Sequence, residues 1–252
     1  MLRKAFIMPL LALLCASLHG QTSNPACNPS LTRYVNPFLG TATLWEPSDL
    51  GYTHTEAKRA WGAETYPGAT LPNAMVQVSP VTKFHSGAGY QYEDSVIYGF
   101  THTNKGHWNL CHIPLLPVTG TPTPGDYCSP FSHERESAAP GYYQVFLDRY
   151  GVDAQLSSTL RCAFHKYTYP AGAAPAVLAD LQRSNEHVRA WDIRKEGDNV
   201  FAGWQQTGEK MYFYAVANRP VTGIEPVVEG DREVRIVRFG EGDGALELRI
   251  GF

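Results

Sequence analysis

Charge is scarce in this chain of 252 residues. Asp, Glu, Lys and Arg make up 18% of it, 21 basic residues stand against 24 acidic ones, and the formal net charge is −3. Without a basic excess the chain has no electrostatic means of holding a nucleic-acid backbone, so no nucleic-acid partner is expected. Methionine (4) and cysteine (5) are also few. At this length a hydrophobic core needs no disulfide staples, so the low cysteine count is compatible with an ordinary packed domain. Beyond Leu14 no apolar run approaches the roughly 20 residues that a membrane-spanning helix requires. What is plentiful is aromatic and turn-forming: 5 Trp, 14 Tyr and 11 Phe, with 23 Gly and 18 Pro. Disordered chains are poor in aromatics and collagen-like chains repeat glycine at every third position; neither pattern occurs here.

The first residues read as an export signal. Arg3 and Lys4 are basic, Ala5 to Leu14 is apolar, and Ser17 or Gly20 offers a small residue for cleavage. Residues 1–20 are therefore expected to be a signal peptide, with 21–252 the mature domain in the periplasm or at the cell surface. A membrane anchor or a buried strand is the alternative reading of the same run. Cys15 raises a lipoprotein option, although Leu14 sits where such sites want a small residue. Loss of Arg3 and Lys4 leaves 19 basic residues against 24 acidic ones, a net charge of −5. Four cysteines remain, Cys27, Cys111, Cys128 and Cys162, and an oxidising compartment allows three pairings. Cys111 with Cys128 would close a Pro/Gly-rich loop, and buried free thiols are the competing reading. No CxxC zinc pattern occurs.

Alternation dominates the mature sequence. Leu246, Leu248 and Ile250 alternate with Glu247 and Arg249, and Tyr143, Val145 and Leu147 do the same after Pro140-Gly141, as strands with one buried face do. Met211 to Ala217 is apolar at nearly every position, which predicts a central strand covered on both faces. Further strands are expected at Met75 to Ser79, Val96 to Thr101, Ile113 to Val118, Val152 to Tyr169, Val177 to Leu181 and Val200 to Gln205. Turn clusters separate them, and no window of a dozen residues carries a helical stripe. The expectation is an all-β fold, two packed antiparallel sheets in one domain without internal repeats. Thr41 to Gly62 reads as an irregular surface excursion. The alternating strand from Ala245 runs into Phe252, the last residue, which suggests a truncated chain.

Candidate chemistry concentrates in THTNKGHWNLCHIP, where His102, His107 and His112 are evenly spaced around Trp108. Three imidazoles can hold a metal, but five-residue spacing alternates faces on a strand and does not match zinc intervals. A polar pocket loop with Trp108 as a stacking platform fits the segment better; alternatively Trp108 fills the core. Adjacent Glu93 and Asp94 would point to opposite faces of a strand, so they cannot flank one bond and are expected to shape the turn before Val96. Nothing resembles a phosphate-cradling loop, a nucleophile elbow or a CxxC redox site.

Four segments carry a further signal: YVNPFLGT at Tyr34 to Thr41, TYPGATLPNAMVQVSP at Thr65 to Pro80, GYQYEDSVIYGFTHT at Gly89 to Thr103, and YGVDAQLSSTLRCAFHKYTYP at Tyr150 to Pro170. In this order they resemble the N-terminal domain of glycoside hydrolase family 92, whose members are calcium-dependent, exo-acting α-mannosidases. The resemblance implies a large, supersandwich-like β-sandwich that packs against an (α/α) helical barrel, with the active site between them. It places the general acid, the general base and most calcium ligands in that second domain, so no catalytic or metal residue is assignable here. It also implies inversion, for which two carboxyl groups about 6.5–9.5 Å apart admit a water. His102, His107, Trp108 and His112 are then expected to bind substrate, a mannose-containing glycan, in a domain inactive alone. A free-standing carbohydrate-binding or interaction module is the alternative. The chain departs from the family pattern at Asn73-Ala74, Val81, the segment Asn104 to Pro114 and Phe84 to Tyr90, where many members place a Trp before Gly-Tyr. The resemblance implies that the Phe84 to Tyr90 loop approaches the substrate, so the departures leave fold and family intact but allow a different linkage or a different terminal sugar.

Overall fold

Two antiparallel sheets, each built from segments of alternating burial, define the architecture seen in a computed structural model, which describes residues 29–43, 65–105 and 108–252. The export signal at 1–20, Cys15, Cys27, His107 and most of the excursion expected at Thr41 to Gly62 lie outside the described residues. The first sheet orders its strands Ala69–Thr70, Gln77–Val81, Gly99–Thr101, Leu115–Val118, Ala176–Ala179, Arg232–Phe239 and Val221–Glu229. The second runs Ala190–Gly197, Val200–Gln206, Lys210–Ala217, Leu246–Gly251, Cys162–Thr168, Val152–Ser158, Tyr142–Leu147 and Glu136–Ala139. Two short pairs, Val96–Ile97 with Ser129–Pro130 and Asn104–Lys105 with Trp108–Asn109, stand beside them. Among the described residues the only helical pieces are Pro29–Thr32 and a 3-10 turn at His133–Arg135. The fold is thus the antiparallel β-sandwich that the alternation predicts.

The core lies between the sheets. Tyr143, Val145 and Leu147 point inward with Val152, Ala154, Leu156, Leu246, Leu248 and Ile250, all nearly inaccessible. Each such aliphatic side chain contributes roughly 1.5–3 kcal/mol by leaving water. In the first sheet Leu115–Val118 and Ala176–Ala179 are buried at every position, so these strands are covered on both faces. The Pro140-Gly141 turn is made possible by Gly141, whose φ of 77° lies in the left-handed region that a side chain disfavours.

Several expectations need correction. Lys210–Ala217 is covered on one face only, because Tyr212 and Tyr214 project outward and are 60% and 52% exposed. The run Val152 to Tyr169 is two strands, broken at Thr159 to Arg161, where the Thr159 hydroxyl accepts from the Cys162 amide at 3.1 Å. Cys111 and Cys128 are not bonded: Cys111 is a buried thiol, Cys128 a half-buried one, and Cys162 is exposed. Glu93 and Asp94 do shape the turn ahead of Val96, Glu93 accepting from the Thr43 amide at 2.8 Å and Asp94 from the Thr82 hydroxyl at 2.8 Å. Among the described residues no helix is long and apolar enough to cross a membrane.

Candidate functional site

The segment after strand Gly99–Thr101 leaves the sheet as a hairpin. Asn104 pairs with Asn109 and Lys105 with Trp108, and the Leu110 amide closes the hairpin on the Thr103 carbonyl at 3.1 Å. Gly106 and His107 lie outside the described residues. Trp108 is 54% exposed, so it does not fill the core. Asn109 is buried and faces the other way, its Oδ1 accepting from the Cys111 amide at 2.8 Å and the Thr101 hydroxyl at 3.2 Å.

Beyond the hairpin the backbone is strained. Cys111 and Ile113 have φ of 53° and 54°, a left-handed conformation uncommon without glycine and a genuine outlier for a β-branched residue. Such strain persists only where surrounding contacts fix it. Those contacts are visible: the Ile113 amide donates to Gln205 Oε1 at 2.9 Å, while Gln205 Nε2 donates to the Leu181 and Arg183 carbonyls. His85, with φ of 59°, is fixed by its amide donating to Asn185 Oδ1 at 2.6 Å, and Asn185 Nδ2 donates to the Asn109 carbonyl at 2.6 Å. Asn185 thereby ties three chain segments together.

His112 sits between the two strained residues and is 5% exposed. Its Nδ1 lies 2.9 Å from the Thr103 hydroxyl; its Nε2 lies 3.2 Å from Glu186 Oε2 and 3.2 Å from the Thr207 hydroxyl. Thr207 donates to the same Glu186 oxygen at 2.6 Å. Burial pushes the His112 pKa down, whereas the Thr207 hydroxyl followed by His112 holds Glu186 below the usual carboxylate range. At neutral pH the pair is a neutral imidazole donating from Nε2 to a charged carboxylate, with Nδ1 accepting from Thr103. Glu186 is half exposed and opens onto a cleft of about 890 Å³, walled by residues 182–191, His85 and Asp231-Arg232.

His102 goes elsewhere. It has no exposure, its Nε2 lies 3.2 Å from His165 Nε2, and the ring of Phe252 packs on it at 4.7 Å. His165 Nδ1 meets the Tyr167 hydroxyl at 2.6 Å. Burial lowers His102 to about 3 and His165 well below its ordinary value, so both rings are neutral. Of the four sequence-derived residues, the structure sets Trp108 at the surface, His112 at the back of a cleft through Glu186, and His102 in the core. Glu186, Asn185, Gln205 and Thr207 were missed. The signal available was the polar run Gln182 to His187 directly after the buried strand Ala176–Ala179. Among the described residues no group of three or more His, Cys, Asp or Glu side chains is placed to hold a metal.

A sequence profile of the "Glycosyl hydrolase family 92 N-terminal domain" matches residues 34–251. No curated protein sequence matches the chain. Among solved structures, a family 92 α-mannosidase from Bacteroides thetaiotaomicron is similar with TM-score 0.72 and 25% identity, over 88% of this chain and 33% of that one. The same enzyme in complex with mannoimidazole gives TM-score 0.72 and 24% identity over 88% and 32%. A family 92 inverting mannosidase from the same organism gives TM-score 0.67 and 22% identity over 87% and 31%. The chain thus spans about a third of the length of these structures. With the profile covering most of its length and the same sandwich in both enzymes, the chain belongs to glycosyl hydrolase family 92, as its N-terminal domain.

Proposed function

We propose that this chain is the N-terminal domain of an exported α-mannosidase-like glycoside hydrolase acting on α-linked mannose of glycans. It supplies one wall of the sugar cleft. The observation that carries the reading is the clamped hairpin: strained backbone at Cys111, held by Asn109, and at Ile113, held by Gln205, presents Trp108 to solvent and His112 to Glu186. Strain held by a dedicated set of hydrogen bonds is a mark of a binding or reacting surface. Trp108 offers a ring for a sugar face, worth roughly 0.5–1.5 kcal/mol of orientation. Glu186 offers acceptor oxygens for sugar hydroxyls, and His112 fixes its position. His102, buried against Phe252 and His165, has no contact with the cleft and is left out of this reading. In this reading the general acid, the general base and most calcium ligands come from a helical-barrel partner domain, and residues 1–20 direct export to the periplasm or the cell surface.

The test is mannose release from α-linked mannobioses, with and without a chelator. The 252-residue chain should release none under either condition. Turnover that survives purification and persists in Glu186→Gln would overturn the division of labour. Calorimetric titration with mannobiose should show weak binding that falls several-fold in Trp108→Ala; unchanged binding in that variant removes Trp108 from the site.

A further inference from the structure

A second surface of the sandwich has the chemistry of a ligand site. On the outer face of the eight-stranded sheet, Trp204 stands opposite Tyr212 on the neighbouring strand. One step along, Tyr214 stands opposite Ala202 on one side and Gly251 on the other. Two small residues thus floor a groove of about 500 Å³ whose walls are aromatic. Tyr212 and Tyr214 are 60% and 52% exposed. Other outward rings on this face, such as Phe164 and Phe146, are half-buried under the guanidinium groups of Arg249 and Arg135, whereas Tyr212 and Tyr214 are exposed side by side.

The charges around the groove decide its occupant. Arg194 lies between Asp192 at 3.6 Å and Glu196 at 2.6 Å. The Lys210 ammonium sits over the Trp204 ring at 3.9 Å and near Tyr212 at 5.8 Å. The groove is lined by Arg194 and Lys210 against Glu196, with Asp192 beside Arg194. Arg194 is engaged by carboxylates on both sides and Lys210 by the Trp204 ring, which leaves neither cation free to hold a phosphate, an acidic sugar or a lipid headgroup. Burying these ions under a protein partner would strip their water, which is costly unless the partner brings matching charges. A neutral saccharide meets none of these objections. Its C–H face stacks on aromatic rings while its hydroxyls find donors and acceptors at the rim, and the groove has the size of small-ligand clefts.

We propose that this groove is a surface binding site for a neutral oligosaccharide. It shares no lining residue with the cleft at Glu186 and stands independently of the role given to the hairpin. Its function would be to hold a glycan chain against the domain in addition to any contact at the hairpin.

The experiment is affinity electrophoresis of the 252-residue chain through gels containing neutral α-mannan, neutral β-glucan or acidic polygalacturonate. The wild-type chain should be retarded by at least one neutral polymer and not by the acidic one. The double variant Tyr212→Ala/Tyr214→Ala should weaken retention at least tenfold, and both side chains project outward, so the core is untouched. Ala202→Lys, which removes no ring and fills the floor, should do the same. Trp108→Ala should retain most of the effect. The proposal is overturned if no neutral polymer retards the wild type, if the double variant keeps wild-type retention, or if Trp108→Ala abolishes it. Stronger retardation by polygalacturonate overturns it as well. None of these outcomes bears on mannose release, so failure here and failure at the hairpin are separable.

Discussion

His102 and His165 face each other without solvent, surrounded by Phe100, Phe252 and Tyr167, with no carboxylate among their hydrogen-bond partners. Both must stay neutral in the folded chain, because burial lowers His102 to about 3 and His165 well below the ordinary value. In the unfolded chain each imidazole titrates near 6.5. Their stabilisation is therefore complete above pH 6.5 and is lost as pH falls through the unfolded value toward the depressed folded one. Each histidine should contribute up to about 1.4 kcal/mol of lost stability per pH unit below 6.5. His112, lowered in the same direction, adds to this. Urea unfolding at pH 7 and pH 5.5, where carboxylates are still mostly ionised, should show a clear drop in midpoint; equal midpoints would mean that the imidazoles are hydrated. Gln205 gives a second residue-scale expectation. It is 1% exposed and satisfies one amide and two carbonyls, so Gln205→Leu leaves three buried backbone groups without partners. A loss of about 2–4 kcal/mol is expected in denaturant unfolding, with Trp108→Ala costing less than about 0.5 kcal/mol because its ring lies outside the core. The sequence marked His102, Trp108 and His112 through their aromatic and imidazole character. It could not mark Gln205 or Asn185, whose importance comes from long-range partners that a local pattern does not contain.

Strands were legible where one face is aliphatic and the other charged. Leu246–Gly251 is the clear case, and the structure places it inside the second sheet, pairing with Cys162–Thr168 on one side and Lys210–Ala217 on the other. Its alternation predicts a sharp contrast between neighbours. Leu248 has no exposure and Leu248→Ala should cost about 2–5 kcal/mol, the range for aliphatic truncation in a core. Arg249, next in sequence, points outward with an exposed side chain and a weak contact to Glu247 at 3.8 Å, so Arg249→Ala should change stability by less than about 0.5 kcal/mol. Comparable losses at both sites would contradict the strand's facing. Ala190–Gly197, Val221–Glu229 and Arg232–Phe239 escaped the pattern because charges interrupt them. Arg194 pairs with Glu196 along its own strand and Arg238 with Glu225 across to the neighbouring one, so these charges sit on the outer surface of strands that the backbone ladder pairs. Lys210–Ala217 was misread for the opposite reason: Tyr212 and Tyr214 count as apolar in a pattern, yet their hydroxyls let them stand in water. Gly203 carried no visible reason either. A Cβ there would lie 2.2 Å from the Asp192 carbonyl oxygen and 2.9 Å from the Phe213 ring, so glycine is what lets three strands approach.

At the scale of the whole molecule, the chain crosses between the sheets again and again. It builds the first sheet from 69 to 118, the second from 136 to 168, returns for Ala176–Ala179, goes back for 190–217, returns for 221–239 and ends its described course in the second. Neither sheet is a contiguous piece of sequence. The last strand, Leu246–Gly251, joins two halves of the second sheet formed far apart along the chain. This interleaving was invisible in the sequence, where strand order says nothing about sheet membership, although the sandwich class itself followed from alternation. It dictates how stability is distributed. Leu248 and Ile250 of one sheet share a single continuous core with Leu116, Val177 and Ile236 of the other, so no sheet can melt while the other keeps its buried face. Unfolding should be all-or-none: far-ultraviolet circular dichroism and near-ultraviolet aromatic signals should follow one denaturant curve with one midpoint. Refolding should be slow, on the millisecond-to-second scale of sandwiches dominated by distant pairings. Two separated transitions, with half the strand signal lost before the aromatic signal changes, would show that the sheets are independent units and that the shared core does not couple them.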